Sequence, residues 1–511
     1  MASKIDSNFT GLRYAEESSI KVLPTNPTWY PLEPNSYKDF GGQVTLLARD
    51  VINPSRQRKK GVITDLDASG GFTQDLTQSN LVRLLQGFFF ANIREKVTNL
   101  PMNAAAVPIT GIDGTTKTYT LSGGVIGNGF AAGDLLFASG FNVPSNNGLK
   151  TVASSTAVTV VVTEALTTEA ATPATAEIQK VGVALAAGVA KIDITTGAPR
   201  LAKATGTVNF LSMGLIAGEW VFIGGDTTTS RFDNANNNGF ARIKTVAADY
   251  IEFDKTSGTF AAEAGAGKSI QLFFGNVLKN EDDPTKIVQK SYQIERTLGR
   301  DNNGVMSEYL IGAVPNELSL EVKQADKITA DMTFVAVDNE QRTGAQGVKA
   351  GSRPALVESA AFNTSSDFSR IKLHVITAGQ TNPSPLFAFL SELSLSIKNN
   401  VSPNKAVGVL GAFDVSAGTF EVSASITAYF ADVTAVQAVR NNTDVALDFA
   451  IVKNNAGFVF DLPLVSLGDG RLSVEKDKPI TLPLSADAAM GANGHTLLLN
   501  EFSYLPNLAD M

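Results

Sequence analysis

The run Phe420-Glu421-Val422-Ser423-Ala424-Ser425-Ile426-Thr427-Ala428-Tyr429-Phe430 alternates apolar and polar residues without a break. Successive side chains of a strand point to opposite faces, so a period of two held this long predicts a sheet with one wet face. Further strands are expected at Ile328 to Val335, Val445 to Val452, Phe458 to Leu462 and Ile480 to Leu484. Forty-four glycines and frequent Asn-Gly-type pairs cut the chain into short segments, which favours many strands joined by turns. The fold class predicted from these features is mainly β.

Two helices interrupt the strands. Leu81, Leu84, Leu85, Phe88 and Phe89 recur at i, i+3, i+4 spacing, with Thr77 or Ser79 as the expected cap and a sheet as the expected partner. A shorter helix is expected after Asp432, with Val433, Val436 and Val439 inward and Asn441-Asn442 at its end. Pro24, Pro27, Pro31 and Pro34 predict an extended, irregular N-terminal arm.

At 511 residues the chain is too long for one ordinary core, and two to four domains are expected. Residues 101–280 are rich in Ala, Thr, Val and Gly and carry an internal repeat. Phe130-Ala131-Ala132-Gly133-Asp134-Leu135-Leu136-Phe137 returns as Leu215-Ile216-Ala217-Gly218-Glu219-Trp220-Val221-Phe222, and Asn146-Asn147-Gly148 returns as Asn237-Asn238-Gly239. Two small β-modules in tandem, 101–179 and 180–280, projecting into solvent, are predicted. A second repeat sets Glu317-Leu318-Ser319-Leu320-Glu321-Val322-Lys323 beside Glu392-Leu393-Ser394-Leu395-Ser396-Ile397-Lys398. It suggests one fold present twice, the first copy in 1–100 with 281–345 and the second in 346–511.

Cysteine is absent, which removes disulfides, thiolate metal sites and thiol nucleophiles. The net charge of -8 argues against tight nucleic-acid binding by the chain as a whole, yet suits a surface that lies near DNA without gripping it. Met1-Ala2-Ser3-Lys4-Ile5-Asp6 lacks the apolar core of a secretory signal, and no apolar stretch of about 18 residues exists for a membrane span. Synthesis in a cytoplasm without export, and no membrane partner, are the expectations.

Several segments resemble tail tube proteins of long-tailed (siphovirus-type) bacteriophages. They are Arg56-Gln57-Arg58-Lys59-Lys60-Gly61-Val62 leading to Ala68-Ser69-Gly70-Gly71-Phe72 and the first helix; Ser291-Tyr292-Gln293-Ile294-Glu295-Arg296-Thr297-Leu298-Gly299 followed by Val314-Pro315-Asn316-Glu317; and Leu393-Ser394-Leu395-Ser396-Ile397-Lys398 with the 420–430 strand behind it. Residues 101–280 depart from the plain family pattern and resemble the extra surface domains that some tube proteins carry. The resemblance implies a β-sandwich or barrel with a flanking helix, joined edge to edge into rings that stack into a tube. Hexameric rings are usual, and a duplicated tube domain implies a trimer with pseudo-sixfold symmetry. It further implies double-stranded DNA passing through the lumen without specific binding, partners in the tape measure protein and the tail proteins at the tube ends, residence in the virion tail, and assembly in the host cytoplasm. No cofactor is expected.

No residue pattern points to an enzyme. His374 and His495 are the two histidines, and neither has a recognisable acid and nucleophile beside it in a motif. Asp65 and Asp67 would share one face of a strand, but a carboxylate pair alone does not define a glycosidase. Asp338-Asn339-Glu340 and Asp301-Asn302-Asn303-Gly304 lack a full calcium-loop ligand set and read as turns. Ala264-Gly265-Ala266-Gly267-Lys268-Ser269 lacks the first glycine of a phosphate-binding loop, since Ala262 stands there. Neither a metal site nor a catalytic residue is expected. Arg49, Arg56, Arg58, Lys59 and Lys60 form a dense basic cluster, which reads as a solvated loop, a nucleic-acid contact or an inter-ring contact. The inter-ring contact is preferred for Arg56, Arg58, Lys59 and Lys60, with Glu281, Asp282 and Asp283 as acidic partners on a neighbouring ring. The alternative function is a carbohydrate-binding β-protein of the virion or cell surface, with Trp220 and Tyr250 as aromatic platforms.

Overall fold

The structure, a computed structural model, describes residues 9–52, 54, 57–78, 81–94, 107–121, 129–301 and 304–510. Within them one strand pattern occurs twice. The first copy consists of β1 (Thr10–Glu16), β2 (Pro34–Arg49), β3 (Lys59–Asp75), α1 (Val82–Phe89), β4 (Tyr292–Asp301), β5 (Gly304–Lys323), β6 (Thr329–Ala336) and β7 (Asp338–Arg342). The second consists of β8 (Phe368–Val375), β9 (Leu390–Lys398), β10 (Glu421–Tyr429), α2 (Thr434–Arg440), β11 (Val445–Lys453), β12 (Ala456–Asp469), β13 (Thr481–Ala489) and β14 (Leu498–Phe502).

The pairings of the first copy are β1 with β4, β2 with β3, β3 with β6, and β5 with β4, β6 and β7. Moving each label on by seven gives the pairings of the second copy, and every pair is antiparallel. In both copies the fifth strand changes partners along its length, joining two groups of strands within one continuous sheet. β5 lies beside β4 and β7 up to Ala313 and beside β6 from Val314, with a register shift at Pro315. A bulge bends a strand and tolerates a proline that has no N–H to donate, so the corner falls there.

One apolar core runs through both copies, from Leu12 and Phe72 to Leu484 and Leu499. Helix α1 buries Leu84, Leu85, Phe88 and Phe89 in it. Gly87 permits the close approach, since a Cβ there would stand 2.7 Å from the Pro315 ring and the Tyr292 ring. Both helices end in a left-handed residue, Phe90 (φ 46°) and Asn442 (φ 48°).

Several expectations are corrected. Thr77 does not cap α1; it bridges to Ala361 and Leu81 precedes the helix, while Ser79 lies outside the described residues. Asp432 does accept from the Thr434 N–H at 2.7 Å, and Val436 and Val439 pack half-buried against the core beside the buried Ala435 and Ala438, but Val433 is 57% exposed. The helix begins one residue after Val433, which therefore never enters its inward stripe. The irregular N-terminal stretch holds Pro24 and Pro27, as expected, but not the other two prolines: Pro31 lies in the short strand Tyr30–Leu32 beside β1, and Pro34 opens β2. Asp338-Asn339-Glu340 is strand β7, not a turn. The seven-residue repeat does not mark equivalent positions either. Its two copies lie side by side as β5 and β9, Leu318 opposite Ile397 and Val322 opposite Leu393. Matched alternation fits the two strands to each other, which is why the sequences agree.

Residues between α1 and β4 hold the insert, where the second copy has only the short link 441–444. Its strands form one twelve-stranded sheet, in which Glu177–Ala184 pairs with strands on both sides. The two sequence repeats make matching loops. Asn146 Nδ2 donates to Thr167 O and Glu169, as Asn237 Nδ2 does to Ala261 O and Glu263. Asp134 and Glu219 each accept from a backbone N–H three residues earlier, Ala131 and Ile216. Although it interrupts the first copy, the insert is seated on the second: Trp220, Phe222, Phe240 and Phe273 share a buried cluster with Ala450, Val459, Leu498 and Phe502.

Candidate assembly surface

Eight strands of the two copies join into one antiparallel arc in the order β2, β3, β6, β5, β9, β10, β13, β12. The seam between copies is the β5–β9 pair. One face of the arc is the apolar core, where Leu318, Leu395, Ile426 and Leu484 are buried. The other face is polar from end to end. Directly opposed residues run across it as Ser36, Thr73, Asp331, Ser319, Ser396, Ser423, Asp487 and Ser466, one from each strand.

Lysines on this face are matched by carboxylates. Lys398 pairs with Glu317 at 2.9 Å, Lys323 approaches Glu321 at 3.8 Å, and Lys38 pairs with Asp331. Glu392 and Asp487 are exposed, and among the described residues no ion pair is formed by either. The face therefore carries surplus negative charge and no unmatched lysine among these rows.

The two ends of the arc differ from its middle. Among the described residues no strand lies along the outer edge of β2, nor along the outer edge of β12 from Ser466 to Asp469. Beyond the arc β2 and β3 continue as a long hairpin whose Val44, Leu46, Leu47, Val62 and Ile63 are 48 to 66% exposed. Such a stripe of apolar side chains on an open strand pair is a surface built for covering.

Arg58, Lys59 and Lys60 stand exposed at the far end of this hairpin, and Arg56 lies outside the described residues. The acidic segment is engaged within its own chain. Glu281 pairs with Arg94 and lies 3.6 Å from Lys279, and Asp283 Oδ1 accepts from the Thr285 N–H. Asp282 is exposed. The structure does not bring the basic and acidic groups together in one chain.

Where the insert meets the second copy, charges are buried. Arg242 donates to both carboxylate oxygens of Asp461 at 3.0 Å and to Asp254 at 2.9 and 3.0 Å. Burial alone would lower the guanidinium pKa, but Asp461 and Asp254 outweigh it and hold it above its ordinary value. Arg370 pairs with Asp448 nearby. His374 is fully buried there, and desolvation followed by Lys255 and Lys372 pushes its pKa down to about 2, so it is neutral. Sequence reasoning passed over this cluster because Arg242 and Asp461 are far apart along the chain and neither belongs to a motif.

The remaining candidates are occupied structurally. Asp65 and Asp67 both accept from Lys405 Nζ at 2.5 Å. Lys268 pairs with Asp233 at 2.6 Å in a loop with no helix after it. Trp220 is fully buried, and Tyr250 is stacked under Arg200 at 4.1 Å. His495 is fully buried. No cluster of three metal-ligating side chains occurs among the described residues.

A family model described as phage tail tube protein matches the chain twice, over residues 8–215 and 194–488. A search of curated proteins found no match.

Proposed function

The chain belongs to the phage tail tube protein family, and on that footing we propose that its copies close into rings of three that stack into the hollow tube of a phage tail. It is a structural protein of the tail. The observation that carries the finer reading is the strand-for-strand duplication, which gives each chain two equivalent units fused into one arc with both ends open. Two units in each of three chains give a pseudo-sixfold ring; a ring of six chains is the alternative symmetry. The neutral-to-acidic face of the arc would line the channel. Hydroxyls and carboxylates there let a duplex slide, whereas unmatched lysines or arginines would each capture a phosphate. The chain has no catalytic task in this reading.

Negative-stain imaging of the purified protein tests it. Stacked annuli with a central hole, whose averages look sixfold but repeat every third of a turn, are expected. A dispersed monomer at high concentration would overturn the proposal.

Stacking between rings is assigned to the hairpin tip, with Arg58, Lys59 and Lys60 facing acidic groups such as Asp282 of the next ring. Charge pairs at such a contact are screened by salt. Raising ionic strength from low to high should shorten wild-type tubes, measured by light scattering. An Arg58→Ala/Lys59→Ala/Lys60→Ala variant should form shorter tubes at low salt and respond little to added salt. Equal salt sensitivity in the two proteins would refute the assignment.

A further inference from the structure

We infer that the joint between neighbouring chains repeats the joint inside each chain: the open edge of β12, Ser466 to Asp469, receives β2 of a second copy, antiparallel, with Gly468 opposite Lys38. This rests on the ring reading above and names the surfaces and register that make the ring.

The template is β5 against β9, the end of one copy paired with the beginning of the other. By the shift of seven, β5 corresponds to β12 and β9 to β2. Both of those strands keep an edge without a partner strand among the described residues. The missing contact and the two bare edges are therefore one vacancy, repeated head to tail.

Register follows from the internal pairings. Phe90 and Asn442 end the two helices in the same left-handed conformation, and seventeen residues before each stand Thr73 of β3 and Ser425 of β10. Thr73 opposes Asp331 and Ser425 opposes Ser485, so Asp331 and Ser485 correspond. Their own partners are Ser319 in β5 and Gly468 in β12. In the same way, two residues before Thr73 and Ser425, Ser423 corresponds to Gly71, and their partners are Ser396 in β9 and Lys38 in β2. Ser319 opposes Ser396 within the chain, hence Gly468 opposes Lys38 between chains.

Burial agrees at both ends. The segment following β9 folds back on the first copy, where Val401, Ala412 and Val415 are buried against Phe90, Val314 and Val337. Its counterpart is the outer part of β2 from about Val44, which belongs to the bare apolar stripe of the hairpin. The receiving surface on the second copy is bare as well: Met490 is 58% exposed, while Ala336 and Val337 at the matching end of β6 are buried. An uncovered apolar hairpin at one end of the arc and an uncovered Met490 at the other fit a head-to-tail contact, which closes into a ring when the rotation divides a full turn.

The absence of cysteine makes the test clean. Ser319→Cys/Ser396→Cys is the in-chain control, and Lys38→Cys/Gly468→Cys is its inter-chain counterpart, with Cα atoms within disulfide reach across paired strands. At Gly468 the new Cβ would press on the Ser485 hydroxyl, which can turn aside. Oxidation of assembled Lys38→Cys/Gly468→Cys should give a ladder on a denaturing gel that ends at three chains. Mixing the two single variants should give a dimer that neither forms alone. On the wild-type chain, amide exchange at 36–38 and 466–469 should slow by at least about tenfold on assembly. Annuli seen by imaging with neither the disulfide nor the protection would overturn the joint and leave the ring reading standing. No annuli and no self-association would overturn both.

Discussion

Glu392→Lys/Asp487→Lys will slow DNA ejection from assembled tails by an order of magnitude or more at low salt, and the loss will shrink as salt is added. Both carboxylates are exposed on the polar face of the arc, and among the described residues neither forms an ion pair, although Lys323 stands opposite Glu392. In a closed ring every chain contributes the pair, and stacking repeats it along the tube. Each lysine that captures a phosphate releases counterions and adds about 0.9 to the slope of log affinity against log salt. A handful of such contacts held at once changes affinity by about a thousandfold or more between roughly 50 and 200 mM salt. The neutral control Glu392→Gln/Asp487→Asn should eject at nearly the wild-type rate, because it adds no positive charge. The measurement is ejection in vitro, followed by dye binding to released DNA across a salt series. If the lysine variant assembles and ejects as fast as wild type at every salt, the face in question does not line the channel.

Arg242→Ala will be the most destabilising single change on the insert's docking surface, at about 3–5 kcal/mol. Asp461 lies beneath it with a side chain 1% exposed, and its two oxygens face the guanidinium at 3.0 Å. Removing the cation takes the paired charge away from that buried carboxylate and leaves it beside His495, 3.8 Å away. Burial raises Asp461's pKa, but Arg242 and His495 together hold it below the ordinary carboxylate range, and without the arginine only His495 opposes burial. An Arg242→Met/Asp461→Leu variant should recover much of the loss, since the pair is then replaced by apolar volume. Denaturant unfolding of the unassembled chain, with limited proteolysis to follow release of the insert, reads both variants. A cost below about 1 kcal/mol for Arg242→Ala would mean that solvent reaches Asp461 and that the ion pair does not hold the insert in place.

Much of the secondary structure was legible in the sequence. Alternation identified β10 and the i, i+3, i+4 stripe identified α1, because both periods follow from local backbone geometry, while apolar and β-branched runs marked the strands of 445–452 and 458–462. The tandem loops of the insert were legible too, since Asn146 and Asn237 fill the same hydrogen-bonding role and few residues can substitute there. Thr77 was misread as a cap of α1, as no local signal shows that it is drawn into a bridge with Ala361.

The chain by itself determined where most of the long strands and the first helix lie, suggested that a tube-type fold occurs twice, and gave no reason to expect cysteine or metal chemistry. Only the tertiary structure decided how those strands meet. The matching heptads at 317–323 and 392–398 looked like equivalent positions and proved to be neighbours across a seam. The insert interrupts one copy and rests on the other, held by an arginine and an aspartate 219 positions apart. Pairing between distant strands and burial of an ion pair depend on contacts made through space. A sequence records the side chains on each strand, but the choice of partner is a property of the folded whole.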